Sequence, residues 1–421
     1  MRQMIRAWKP ALVATGVLAL LAAGWAGSTG TAQTPEWHQW RGANRDGRSA
    51  ETGLLQQWPA SGPRQIWRAT GAGEGYSSFS TSGGRLFTMG ARGGTEYVMA
   101  FDLETGRKVW ETPNGRRFRN DRGDGPRGTP TVDGDRLYAL GGSGTLACLD
   151  AQTGRPVWAV DVLDRFGGYN PNWGLSESPL VLGDRVLVNA GGRSASIVAL
   201  NKQNGSVLWA SGDDPAAYSS AVTVRVGDVP TAVFFTARRA LGVDVRDGRV
   251  LWGYERVANR TANIATPVVR GTRVFVSSDY GTGAALLDLV PRGNGVEARE
   301  VYFTRDMRNH HASSVLERDH LYGFSSTILT AMAFDTGTVA WRDRSVGKGS
   351  VIYADGRLYL FSENGVVGLA EATPDGYRER GRFRIAAGTL PTWSHPIIAS
   401  GRLILRDQDA LYVYDIGMPK E

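Results

Sequence analysis

Cysteine is nearly missing from this chain. Cys148 is the single thiol in 421 residues, so no internal disulfide can form and stability must come from packing. Its setting in "GTLACLD" reads as a small buried hydrophobe on an apolar strand. Histidine is also scarce, five in all, and no His/Cys spacing matches a zinc site. There is no G-x-S-x-G nucleophile elbow. "GAGEGY" (Gly71–Tyr76) spaces its glycines without a following helix, which removes a nucleotide loop. "NDRGDG" (Asn120–Gly125) opens like a calcium loop, but Val132 stands where the closing acid belongs. No convincing amphipathic helix follows residue 26.

Long hydrophobic runs are lacking as well. The main one, "ALVATGVLALLAA" (Ala11–Ala23), is 13 residues, short for a membrane span. Arg2, Arg6 and Lys9 precede it and small residues follow, so residues 1–32 read as an export signal cut near "GTA" (Gly30–Ala32), with a retained anchor as the alternative. The segment has no cysteine to carry a lipid and no twin arginines, which points to the general secretory route and a periplasmic or secreted protein. Removing its three cations lowers the net charge from +7 to +4, too small an excess to argue for nucleic acid. No stable membrane span is expected after cleavage, and the mature chain is expected to be a monomer.

What the chain does have is glycine, 55 residues, and tryptophan, 13, a pairing that suits many short strands and turns. "AFDLETGRKVW" (Ala100–Trp110) reads as a strand, a tight turn at Gly106 and a second strand. The same spacing returns in "CLDAQTGRPVW", "ALNKQNGSVLW" and "GVDVRDGRVLW", with Asp or Asn four residues before Gly and Trp four after it. "AMAFDTGTVAW" keeps the Gly-to-Trp spacing but has Ala333 in the Asp place. With degraded copies included, the outer-strand aromatics are Trp67, Trp110, Trp158, Trp209, Trp252, Tyr302, Trp341 and Phe383, spaced by 39 to 51 residues. About 45 residues is the length of one four-stranded propeller blade. The expectation is an all-β, eight-bladed propeller over residues 58–416, after an N-terminal extension (33–57) and before a short tail (417–421). The strand around Trp67 is expected to complete the blade begun by the last strands and so close the ring.

The "LDxxTGxxxW" repeat resembles that of the pyrroloquinoline quinone (PQQ) enzymes, and also the propeller subunit of the outer-membrane β-barrel assembly machinery. The leading "WHQWRGANRDGRSAETGLLQQWP" is similar to the opening of many exported bacterial propellers. Such a fold serves enzymes and scaffolds alike. The main expectation is therefore a cell-envelope module that binds a protein partner or a small ligand at the channel mouth. The alternative is a PQQ- and calcium-dependent dehydrogenase of an alcohol or sugar.

In a propeller, the residues leading into each blade's first strand ring one mouth of the channel. Here they include Tyr76, Arg127, Glu177, Tyr218, Asn263, His310, His311, Lys348, Trp393 and His395, so three of the five histidines converge there. The plain alternative is that loops are polar everywhere. By resemblance, Glu177 and Asn263 would be the calcium ligands, while Arg127 and Lys348 would face the quinone; Trp393 and His395 complete the cofactor-binding set. No lead-in supplies an Asp as base, so Asp279, His310 and His311 are the catalytic candidates. A third reading is a hydrolase or lyase with His310, His311 and His395 around a metal. The arginine-rich "NGRRFRNDRGDGPR" (Asn114–Arg127) reads as a solvated, partly self-paired loop, with binding of an anionic partner as the alternative.

Overall fold

Alternating apolar residues after Gly/Asp turns become strands throughout. The computed structural model of the protein describes residues 36–419, so the expected export signal at residues 1–32 lies outside the described residues. Eight separate sheets of four antiparallel strands follow one another. The first blade is Ser80–Ser82, Arg85–Arg92, Thr95–Asp102 and Lys108–Arg116, in chain order from the inside outward. Six more repeat that order. The eighth is mixed: Ile397–Ala399, Arg402–Asp407 and Ala410–Asp415 come from the C-terminal end, and Gln65–Ala69 pairs with the last of these (Trp67 opposite Val413). The short helix Val162–Phe166 corrects the expectation of none. Asp161 caps it by accepting from the Leu163 and Asp164 amides, both at 3.0 Å, and Gly167 ends it; five residues are too few to show a helical period.

The repeated motif has a structural meaning that reaches beyond its own hairpin. Gly106 sits at φ +70° directly beneath the Trp67 ring of the preceding blade. Gly154 lies beneath Trp110, Gly205 beneath Trp158 and Gly337 beneath Tyr302 in the same way. Each indole also donates to a carbonyl beside that turn: Trp67 to Leu103 (3.0 Å), Trp158 to Lys202 (2.9 Å) and Trp209 to Val245 (3.0 Å). So the outer aromatic of one blade docks on the turn of the next, and glycine is required twice, for the positive φ and for the ring. Asp102 rigidifies the turn by accepting from the Thr105 amide (2.8 Å) and hydroxyl (2.7 Å), and Asp150 repeats this with Thr153. Trp252 departs from the pattern. The turn it would meet is replaced by the long hairpin Gly283–Arg292 and Gly295–Thr304, and its indole N–H is left without a partner.

Residues 36–49 lie against the inner strands and join six blades. The Trp37 carbonyl accepts from Thr81 N and the His38 carbonyl from Val132 N, each at 2.8 Å. The Arg41 guanidinium donates to the carbonyls of Ser313 (3.3 Å) and Ser314 (2.7 Å), and Arg45 to those of Ser178 (2.8 Å) and Pro179 (3.1 Å). The Trp40 indole donates to Thr266 Oγ1 (2.9 Å), and Ser49 N donates to the Tyr353 carbonyl (2.8 Å). Arg41 and Arg45 are both almost fully buried, at φ +60° and +57°. Carbonyl oxygens at the inner ends of blades thus solvate two guanidinium groups that burial pushes down to about 10, still cationic at neutral pH. The extension is a plug in the channel.

Gly154→Ala tests the interblade dock. An added methyl would stand 2.5 Å from the Trp110 ring at φ +73°. The expected loss is about 2–4 kcal/mol of stability, read from a lowered urea midpoint with an unchanged m-value. The same change at Gly134, where the φ is +61° but the added methyl meets nothing, should cost only the backbone part.

Candidate functional site

The plug turns the channel mouth into a blind cup of about 450 Å³, lined by the lead-ins of several blades. Trp40 of the plug closes it from below, with its ring edge-on to His395 at 4.5 Å between centroids. Tyr76 and Trp393 form one wall at 5.1 Å from each other, and Trp173 and Tyr218 form another at 5.6 Å. Tyr280, whose hydroxyl lies 3.0 Å from His310 Nε2, continues the rim. His311 sits between His310 and Trp393.

Of the residues expected from sequence, Arg127, His310, His311, Lys348, Trp393 and His395 all line this cup. The Arg127 guanidinium donates to the Gly125 (2.6 Å) and Gly123 (2.7 Å) carbonyls and lies over the rings of Phe118 and Tyr76. Lys348 pairs with Glu363 at 2.9 Å, and the same carboxylate accepts from the Trp393 indole at 2.6 Å. Burial holds the three histidines below the usual imidazole range, His395 at about 3, so they are neutral near pH 7. The 3.6 Å approach of His311 Nδ1 to Glu363 is therefore neither an ion pair nor a hydrogen bond.

Glu177, Asn263 and Asp279 do not line the cup. The Asn263 amide is spent internally: its nitrogen donates to the Thr236 carbonyl (2.9 Å) and its oxygen accepts from Asn259 N (3.0 Å). Glu177 accepts from Asn189 N (2.6 Å), and its other oxygen is buried without a partner. Burial pushes its carboxyl up to about 8, only partly opposed by Arg45, so it is mainly protonated at pH 7. A neutral carboxyl and a spent amide are poor donors for a hard dication. The side chains assigned by resemblance to calcium do not fit it in this arrangement, and no step is derived through PQQ and calcium. Among the described residues there is also no group of three His, Cys, Asp or Glu side chains that could hold a metal, which leaves the histidine-metal reading without ligands. Asp279 precedes Tyr280, and its charge acts on His310 from outside the cup.

Sequence reasoning missed Trp40, Trp173, Tyr280 and Arg122. Arg122 belongs to the arginine-rich loop, which is self-paired through Arg117–Asp124 (2.7 Å) yet delivers Arg122 and Arg127 to the cup. The usable signal for Trp40 was two tryptophans in the short "WHQW" ahead of the repeats.

The Glu177 carboxyl predicts a pH dependence. The unfolded chain releases this proton near 4.5 and the folded chain near 8, so its contribution to stability is lost as pH rises through that window. Glu177→Gln keeps the acceptor for Asn189 N and removes the titration. The variant should gain about 3–4 kcal/mol relative to the native protein between pH 5 and pH 8, read from urea midpoints. A difference that stays constant with pH would show that Glu177 is charged throughout.

The chain is similar to outer membrane protein assembly factor BamB of Burkholderia pseudomallei, 27% identical over 308 residues, or 62% of this chain and 76% of that protein. The match to the protein of that name from Shewanella oneidensis is 31% identical and covers 50% of this chain and 51% of the relative. The crystal structure of BamB from Moraxella catarrhalis superposes with a TM-score of 0.62 at 15% identity, covering 85% of this chain and 98% of that one. The quinohemoprotein alcohol dehydrogenase of Comamonas testosteroni superposes with a TM-score of 0.63 at 11% identity, covering 92% and 81%. At such identities the structures share the fold, which enzymes and assembly factors both use. Residues 94–343, more than half of the chain, match the PQQ_2 family model described as outer membrane protein assembly factor BamB, and the chain belongs to that family.

Proposed function

We propose that this propeller is an exported, non-catalytic scaffold of the bacterial cell envelope that binds a protein partner in outer-membrane protein assembly. One observation carries the reading. The outermost strand of a blade has one free edge, and on five blades in succession it exposes an apolar side chain near the docked aromatic. These are Val109, Val157, Leu208, Val250 and Val301, with Val207 beside Leu208, all 36–42% exposed; the aromatic beside Val250 is Trp252, which does not dock on a glycine turn. Val109, Val157, Leu208 and Val301 each precede the outer aromatic as the unpaired residue of a β-bulge, which turns them to solvent, while Val250 stands two residues before Trp252 with Leu251 in the bulge. A repeated apolar row on free edges suits contact with another protein, including pairing with an added strand. The names of the family relatives support the assembly role, and no helix among the described residues is long and apolar enough to cross a membrane.

The second reading, a quinoprotein dehydrogenase, is favoured by the cup at the channel mouth and opposed by the spent donors at Glu177 and Asn263. A photo-crosslinking residue at Val109 or Leu208, in the native cell, should trap one envelope protein, and the same probe at exposed Tyr169 should not. Deleting the gene should lower outer-membrane protein levels. Absence of any specific adduct, or dye reduction by the purified protein with PQQ, calcium and an alcohol or sugar, overturns the scaffold reading.

A further inference from the structure

The cup combines features that the scaffold role leaves unused. We propose that it binds an acidic saccharide, a sugar ring bearing a carboxylate or phosphate, with the ring against its indole faces and the anion at Arg122 and Arg127. This does not depend on the partner contact at the outer strand edges.

Charge is the first argument. No carboxylate lines the cup, and the one cation with a carboxylate partner is Lys348, offset by Glu363. Arg122 and Arg127 have no carboxylate partner among the described residues. Backbone carbonyls and two rings hold Arg127 in place without cancelling its charge. A fixed, half-buried guanidinium is a ready anion site.

The second argument is a set of orphaned polar atoms. His311 is nine-tenths buried, and neither ring nitrogen has a hydrogen-bond partner. His395 Nε2 and His310 Nδ1 are also buried and unpaired. A neutral imidazole offers one donor and one acceptor, and a hydroxyl group complements both. A simple inorganic anion would leave the acceptors bare, whereas a polyhydroxylated ring would satisfy them.

Shape is the third. The indole N–H groups of Trp40 and Trp393 are already spent on Thr266 and Glu363, so what these side chains offer the cup is apolar ring surface. Such surfaces suit the C–H face of a sugar, and 450 Å³ lies within the range of small-ligand pockets.

Calorimetric titration of the purified protein tests this with D-glucuronate, D-galacturonate, glucose 6-phosphate and neutral D-glucose. At least one acidic sugar should bind at least about tenfold more tightly than glucose, the worth of one charge-assisted hydrogen bond. Comparing the uronates with the phosphosugar identifies which anion is preferred. Affinity should fall as salt is raised from about 0.05 M to about 0.3 M. Arg127→Gln should weaken acid binding about tenfold and leave glucose unchanged. Arg122→Gln, on an exposed side chain, should weaken acid binding in a protein of unaltered melting temperature, even if Arg127→Gln disturbs the loop. No binding of any acidic sugar, equal binding of glucose, or affinities unchanged in both arginine variants overturns the proposal. So does saturation of the cup by PQQ alone.

Discussion

The docking of an outer-strand aromatic onto the glycine turn of the next blade is the contact on which this molecule depends. A four-stranded sheet of this size cannot bury both of its faces alone. Each blade is stable because its neighbour covers it, and the Trp67–Gly106 and Trp110–Gly154 contacts set the spacing and angle of that cover. The indole N–H to carbonyl bonds then fix the register, since a slip would strand a buried donor. With one cysteine, buried and unpaired, no covalent staple shares this task. The pattern tolerates substitution where geometry is kept: Tyr302 replaces Trp over Gly337, and Phe383 lies over Gly62 at the blade of mixed origin.

Stacking eight blades leaves a channel, and the channel poses a solvation problem that the plug resolves. Inner strands are short, three residues in most blades, and their ends carry carbonyls that neighbouring strands do not use. Arg41 and Arg45 fill that need with five-donor guanidinium groups, at the cost of burying two cations. Arg406 repeats the device between the eighth and first blades, fully buried and bonded to the carbonyls of Ser77, Gly73 and Gln408. By blocking the channel, the plug also makes the cup, because Trp40 becomes its floor. Fold stability and site formation therefore share one segment.

Much of the site was legible from sequence for a reason that applies to any propeller. Lead-ins to first strands must converge, so Arg127, His310, His311, Lys348, Trp393 and His395 could be placed together once the period was known. The same rule failed for Glu177 and Asn263 because the local backbone aims each lead-in side chain separately: at the bend of residues 310 and 311 both rings reach the cup, whereas at 176 and 177 only one side chain does. Ser176 faces the cup while Glu177 turns into the wall to meet Asn189. Convergence fixes which loops meet, and only the local backbone conformation decides which of their side chains look inward. Trp173 and Tyr280 escaped notice because they sit outside the repeating unit, in connections whose lengths vary.

The sequence by itself determined the architecture. A turn glycine and an aromatic four residues later, repeated at about 45 residues, permit little besides blades that stack side by side. It also determined the absence of a disulfide frame and the scarcity of histidine that made the convergent trio conspicuous. The tertiary structure decided everything that depends on direction and burial. It placed the extension in the channel, made Glu177 a neutral buried acid rather than a metal ligand, and left two arginines facing an aromatic cup that no carboxylate lines. Periodicity is a one-dimensional property and survives in the string. Solvation is a property of the closed ring, and no residue carries it until its neighbours from other blades are in place.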